Sequence, residues 1–296
     1  VEDLTKSDES EFTEEVFSFP PVRIAVVAHK ENDWFQESVA SFANLNYLDK
    51  QFTVLTTGEM EWVEPIVSQY FPDAEILEVD PEAGLGANFN AVLSNHDEPA
   101  FYLFCHHDVA LAPDALRLMV EESYRSNAAV VGPKVVNWER PNELLDVGNV
   151  MNSLAVAVQR VEAGEIDQEQ FDSVEQVFAV SNTAFLVRAD LFRALGGFDE
   201  EMGMFGEDLD FCWRAQIAGG KIMVVPGAIA RHRDESGEYQ TNPKRSRLME
   251  RHRLRSILSN YGKVRVLPML LLNLLISTIR GILGLLRGRL TNLLIL

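Results

Sequence analysis

An α/β fold, a mixed, mostly parallel sheet flanked by helices with an amphipathic helical segment at the C-terminal end, is predicted by three observations. Short β-branched or aromatic runs alternate four times with amphipathic helical patterns before residue 127, and right-handed crossovers then lay successive strands side by side. Hydrophobic residues make up 47% of the 296 positions against 24% charged, enough apolar material to cover both faces of such a sheet. From residue 265 onward the chain is apolar with polar residues at helical spacing.

The elements follow in order. Residues 1–20 read as an acidic N-terminal arm, punctuated by Pro20 and Pro21. VRIAVVAH (22–29) has the continuous apolar run of a buried strand, and Asn32 or Asp33 can cap a helix through WFQESVASFANL. FTVLTT (52–57) precedes a helix near EWVEPIVSQYF, and AEILEV (74–79) precedes another around NFNAVLSNH. FYLFCHHDV (101–109) is a fourth strand, with Pro113 starting the helix PDALRLMVEESYRS. AVVGPKVVN and QVFAVSNTAFLVR are strand-like, and the polar stretch between them reads as a long loop. EDLDFCWRAQIA is an amphipathic helix ended by Gly219 and Gly220, and KIMVVPGAIARH is a final strand.

The net charge of −19 argues against a nucleic-acid binder, which needs a basic face to neutralise phosphates. It is also unevenly spread. From Arg231 onward there are 13 Lys and Arg against 4 Asp and Glu, a net of +9, which leaves −28 for residues 1–230. Two cysteines in apolar stretches, Cys105 and Cys212, are too few for a disulfide framework and point to a reducing compartment. The acidic start lacks the pattern of a secretory signal. A chain opening on Val and stopping in mid-pattern at LLIL is expected to be a piece of a longer protein.

In open α/β sheets ligands sit beyond the carboxyl ends of the strands. There, CHHDV delivers His106, His107 and Asp108. Alternation along a strand puts His106 and Asp108 on one face, where an imidazole and a carboxylate can hold a divalent ion; a turn-capping Asp beside two half-exposed histidines is the alternative. His232 ends the last strand between Arg231 and Arg233, as a further ligand or an ordinary surface residue. GEDLDFCWR puts Glu207, Asp208 and Asp210 in the first turn of a helix. They either complement its dipole or supply one general base, since Asp208 and Asp210 cannot share a face. EAGLGANFNA, with Gly84 and Gly86, is either a tight turn or a loop whose N–H groups approach a phosphate.

Taken in order, VRIAVVAHKEN, GLGANFN, FYLFCHHDVALAPDALRLMVE and NTAFLVRADLFRALGGFDEEMGMFGEDLDFCWRAQIAGGKIMVVPGAIARH resemble glycosyltransferase family 2, over roughly residues 22–240. The resemblance implies a GT-A domain over residues 21–243, inverting transfer from a nucleoside-diphosphate sugar, and a divalent metal, Mg2+ or Mn2+. It makes Asp108 the last acid of a DXD-type motif that begins at His106, with His107 where relatives carry a second acid. His232 resembles a later metal-binding histidine, and Asp208 the base, with Glu207 beside it. Ala28, His29, Thr56, Gly84, Gly86, Asn90 and His107 would surround the nucleotide. Relatives usually carry Asp-Asn after the second strand, and Thr56 and Thr57 stand there instead, so the usual carboxylate contact to the base is missing.

Residues 244–296 combine a basic stretch, KRSRLMERHRLRS, with an apolar helix expected to start at Pro268. Asn273, Ser277, Arg280, Gly284, Arg287 and Thr291 form one polar stripe on it, and Arg280 at mid-run disfavours a spanning helix. The pattern predicts a helix lying on an anionic membrane surface, or alternatively a homo-oligomer seam through 267–296. The expectation is an enzyme at the cytoplasmic face of the cell membrane, glycosylating a cell-envelope glycan or lipid-linked acceptor. Two rivals are a noncatalytic nucleotide- or glycan-binding module and a metal-dependent hydrolase using His29, His106, Asp108 and His232.

Overall fold

The computed structural model describes residues 19–286 apart from residues 59, 95–97 and 234–242. Most of the acidic arm, and Arg287 and Thr291 of the polar stripe, lie outside the described residues.

The predicted alternation forms the first half of the sheet. Strand β1 (Val22–Ala28) is buried along its whole length, between β2 (Lys50–Thr56) on one side and β4 (Phe101–His106) on the other, and β3 (Glu75–Glu78) adds beyond β2. All three of these pairings are parallel. The crossovers carry helices α1 (Phe35–Ala43), α2 (Val63–Tyr70) and the short α3 (Leu85–Phe89), which continues as a 3-10 turn over Asn90–Ser94. Asn32 caps α1, its side-chain oxygen accepting the Phe35 N–H at 2.8 Å.

The second half is mixed. Helix α4 (Ala115–Ser126) leads into β6 (Ala128–Asn137), and β11 (Ala184–Arg188) runs antiparallel between β4 and β6. After α5 (Ala189–Ala194) and α6 (Glu207–Ile217), β12 (Lys221–His232) pairs parallel with β6. Side chains alternate across the sheet into two cores. On β4, Leu103 and Cys105 pack with Phe35, Phe42 and Leu116 on one face, while Tyr102 and Phe104 join Phe89, Phe192, Phe198 and Phe211 on the other.

Three readings of the sheet and its connections need correction. The strand expected over 101–109 ends at His106; His107 and Asp108 turn the chain, and β5 (Val109–Leu111) then pairs antiparallel with β12, with Val109 opposite His232. The segment QVFAVSNTAFLVR is not one continuous strand: β10 (Glu175–Gln176) stands at its start and β11 at its end, and between them Ala179 bridges to Asn149. The polar stretch before it is no plain loop: it holds β7 (Leu144–Asp146) and the hairpin of β8 (Asn149–Met151) and β9 (Ala157–Gln159), and buried Lys134 ties it down through Asp167 and Asp172.

The C-terminal segment forms α7 (Pro243–Asn260) and α8 (Lys263–Leu286), so Pro268 lies inside the helix it was expected to start. Two arginines of the basic stretch are committed to the body of the protein. Arg255 pairs with Asp199, and Arg253 meets Glu250 and the carbonyl of Leu154 and donates to Asn273. The polar stripe faces inward at buried Asn273, whereas Leu267, Leu271, Leu274, Leu275 and Ile279 are exposed. Among the described residues no helix is long and apolar enough to cross a membrane.

Candidate active site

The apolar run FYLFC drives β4 to the sheet's carboxyl edge, where the His106 N–H bonds the Thr183 carbonyl at 3.2 Å. The turn that follows, rather than strand alternation, swings Asp108 back beside His106. Asp108 Oδ1 lies 4.0 Å from His106 Nδ1 and 3.3 Å from His232 Nε2. One ligand atom from each of these three residues falls within 4.8 Å of the others. The β5–β12 pairing, with Arg233 N–H on the Asp108 carbonyl, holds the two segments together.

The donor set suits a divalent first-row ion: two imidazole nitrogens and a carboxylate oxygen. Its electrostatics fit as well. Burial favours a neutral Asp108, but the hydrogen bond from His232 and the nearby imidazoles outweigh it and hold the carboxyl well below the usual range. Burial, aided by His232, lowers His106 to about 4, so at neutral pH its ring carries a free lone pair. His107 and His29 stand apart from this trio. Their rings meet edge-on at 5.8 Å, and His29 Nδ1 lies 3.1 Å from Thr57 Oγ1. The four-ligand set of the hydrolase reading is therefore not assembled, because His29 is outside the metal-ligand group found among the described residues.

Gly206, at φ +96°, starts α6 and sends its three acids in different directions. Asp210 is buried and fully engaged, receiving Arg214 at 2.7 Å, Ser256 at 3.0 Å and Asn260 at 2.9 Å. It fastens α7 behind the site, which leaves Asp208 as the aspartate of that turn free for chemistry. Asp208 is half-buried, its oxygens accepting the Leu209 N–H at 2.7 Å and the Asn182 N–H at 3.3 Å. Glu207 is buried and accepts from the Asn182 amide at 2.6 Å. Burial raises the pKa of both carboxyls, and the Asp208 charge pushes Glu207 further.

The residues expected around a nucleotide divide. Ala28 is buried, with its carbonyl taking the Thr57 N–H, and Thr56 is buried with its hydroxyl on the Gly58 carbonyl, so Thr57 is the threonine that meets His29. Gly84, at φ +90°, backs onto Gly203, where a Cβ would stand 2.2 Å from the carbonyl; a Cβ on Gly86 would meet that of Glu207 at 3.0 Å. Both amide atoms of Asn90 are spent on Phe198, with Glu200 alongside. These three residues bind the glycine loop to the segment carrying Glu207.

Two residues of the site escape the sequence reading. Asn182 lies in the segment taken for a strand, and its side chain touches His106 at 3.0 Å as well as Glu207. Asp146, at the end of β7, is buried, and its pKa rises to about 6 chiefly through burial, with the Gly148 N–H opposing and the Asp208 charge adding. Nothing in its local sequence, LLDVGN, marks it.

The family model described as "Glycosyltransferase like family 2" matches residues 20–258. A pre-mycofactocin glycosyltransferase of Mycobacterium tuberculosis is 42% identical over 53 residues, 18% of this chain and 11% of that protein, so the chain spans about a tenth of the length of the curated relatives it matches. Among solved structures, GalNAc-T7 with UDP, GalNAc and Mn2+ is similar at TM-score 0.58 and 13% identity, covering 72% of this chain and 43% of that one. The mannosyltransferase PcManGT of Pyrobaculum calidifontis, with GDP-Man and Mn2+, gives 0.58 and 13% over 83% and 66%. TarS of S. aureus (residues 1–349, with UDP) gives 0.58 and 16% over 84% and 69%. The curled, mostly parallel sheet flanked by helices is thus the GT-A fold, and the chain belongs to glycosyltransferase family 2.

Proposed function

We propose that this protein is an inverting glycosyltransferase that moves a sugar from a nucleoside-diphosphate donor to a hydroxyl of a cell-envelope glycan or lipid-linked acceptor. The observation that carries the reading is the joining of the His106–Asp108–His232 trio to the Glu207–Asp208 pair through one residue, Asn182. Metal-ligand and base chemistry then share one crevice. The similar structures solved with UDP or GDP-Man and Mn2+ support the donor class.

A divalent ion held by His106, Asp108 and His232 would offset charge on the departing diphosphate. The acceptor oxygen attacks the anomeric carbon while the bond to the diphosphate oxygen breaks, its electron pair leaving with the nucleotide. The acceptor's proton passes to the Asp208 carboxylate, whose burial makes it more basic than a free aspartate. Thr57 and His29 line the end of β2 and β1 where the base would lie, and they offer a hydroxyl and an imidazole in place of a carboxylate.

Asp208→Asn tests this reading. It keeps size and can still accept the Leu209 N–H, giving up the longer bond from the Asn182 N–H, but it loses the proton acceptor, so nucleoside diphosphate release during transfer should fall about 100-fold or more, with the donor KM little changed. Near-normal turnover removes Asp208 as the base. Donor binding with Mn2+ but no turnover in the unsubstituted protein would favour the noncatalytic module.

The exposed apolar side of α8 supports a second element of the proposal, docking at an anionic membrane surface, with Arg247 and Arg251 of α7 exposed nearby in sequence. We place the reaction at the cytoplasmic face of that membrane.

A further inference from the structure

Asn182 is buried, and every polar atom of its side chain is used: the amide nitrogen lies 2.6 Å from Glu207 Oε1 and the amide oxygen 3.0 Å from His106 Nε2. Its backbone N–H also reaches Asp208 at 3.3 Å. The direction of these bonds can be worked out. The amide nitrogen donates to Glu207 Oε1, and the proton that burial favours on this carboxyl belongs on Oε2, which is buried without a hydrogen-bond partner, so the carbonyl oxygen of the amide faces His106. A carbonyl oxygen only accepts, so His106 Nε2 must carry the proton. In a neutral imidazole the other nitrogen, Nδ1, is then the bare one, and Nδ1 is the atom facing Asp108 at 4.0 Å.

Without this arrangement the opposite tautomer is favoured. The Asp108 carboxylate stands on the Nδ1 side and accepts protons but donates none, so it draws the imidazole hydrogen onto Nδ1. There the hydrogen occupies the lone pair that a metal ion needs. We propose that Asn182 is a positioning residue that locks His106 in its Nε2–H tautomer and so keeps Nδ1 open as a metal ligand, while the same side chain orients Glu207. The inference rests on the reading of His106, Asp108 and His232 as the metal centre. It adds that ligand geometry and the acid pair are set together by one amide, so that neither can be altered without the other.

The test has two arms. In the first, long-range proton–nitrogen NMR of the unsubstituted, metal-free protein at pH 7 assigns the His106 tautomer. Nε2–H is expected, and a resting Nδ1–H form overturns the proposal whatever any variant does. In the second, Mn2+ alone is titrated and its free signal followed by electron paramagnetic resonance in the unsubstituted protein, Asn182→Ala and His106→Ala. Asn182→Ala should bind Mn2+ about 10- to 100-fold more weakly, the usual effect of removing a group that orients a ligand, and its His106 should shift toward Nδ1–H. If His106→Ala loses Mn2+ while Asn182→Ala binds as the unsubstituted protein does, this inference fails and the metal centre stands. If His106→Ala binds Mn2+ normally, the metal centre itself is wrong and the inference falls with it.

Discussion

Lowering the pH from 7 to 5 should destabilise the metal-free protein through His106, by an amount that follows from its surroundings. The ring's ordinary value of 6.5 falls to about 4 in the fold, because burial and His232 oppose the charged form. The sign follows from proton counts. Between pH 6.5 and 4 the unfolded chain binds a proton at this ring that the folded chain refuses, so stability is intact above about 6.5 and is lost as the pH drops through that window. Integrating from pH 7 to 5 gives a loss of about 2 kcal/mol from this one residue. Other groups titrate over the same range, among them His29, lowered to about 4, and Asp146, raised to about 6. A comparison with His106→Gln subtracts them, since Gln cannot charge and its amide can still donate to Asn182. Urea unfolding of both proteins in a chelator, at each pH, measures the difference. The unsubstituted protein should lose about 2 kcal/mol more than the variant; equal losses would refute the half-buried, neutral His106 on which the metal assignment depends.

Nucleoside diphosphate binding, followed by calorimetry with UDP and GDP, should require Mn2+ and be abolished in Asp108→Ala and His232→Ala, whose side chains lie 3.3 Å apart; unchanged affinity in both removes the metal assignment. Gly84→Ala should cost ~3 kcal/mol or more by urea unfolding, because its Cβ meets the Gly203 backbone at 2.2 Å and φ is +90°, with no flexible side chain to yield. Asp210→Ala should cost ~3–5 kcal/mol in the same assay by stranding Arg214, Ser256 and Asn260; a loss below 1 kcal/mol would show that Asp210 does not fasten α7.

The legible parts of this molecule are those where local pattern and tertiary outcome share a cause. FYLFC is apolar because β4 is covered on both faces, so both the strand and its place in the sheet could be read from it. Strand alternation predicts that His106 and Asp108 share a face; the two do lie side by side, but through the turn after His106. The turn is set by β5 pairing with β12, a contact across more than 100 residues that no local window contains. Asn182 was hidden for the same kind of reason. It lies between the strand-like runs VFAV and TAFLV, and only the packed structure shows that the chain there lies outside β10 and β11 and reaches Glu207. Gly84 and Gly86 could be identified as special positions, but the partner that demands their missing side chains is another loop of the same chain.

The orientation of α8 reverses the simplest reading of its polar stripe and sharpens the membrane proposal. At 100° per residue, Asn273 lies opposite Val264, Leu271, Leu275 and Ile282, and Asn273 is the one buried, bonded to Arg253 at 2.7 Å. Asn273 therefore faces the protein, and the apolar side opposite it faces outward. Such a stripe in water is unfavourable unless something covers it. Leu271 is 58% exposed and Leu275 56%, so covering these two side chains should yield roughly 1–2 kcal/mol each, or about 100-fold in affinity for the pair. The double variant Leu271→Asp, Leu275→Asp leaves Asn273 and Arg253 in place and should lose that factor in co-sedimentation with vesicles of anionic lipid. Neutral vesicles should bind both proteins weakly, because the exposed arginines then have nothing to meet. Equal pelleting of the two proteins with anionic vesicles would dismiss the membrane. If the unsubstituted protein instead forms dimers that the double variant cannot, with or without lipid, then a second copy of the chain covers α8.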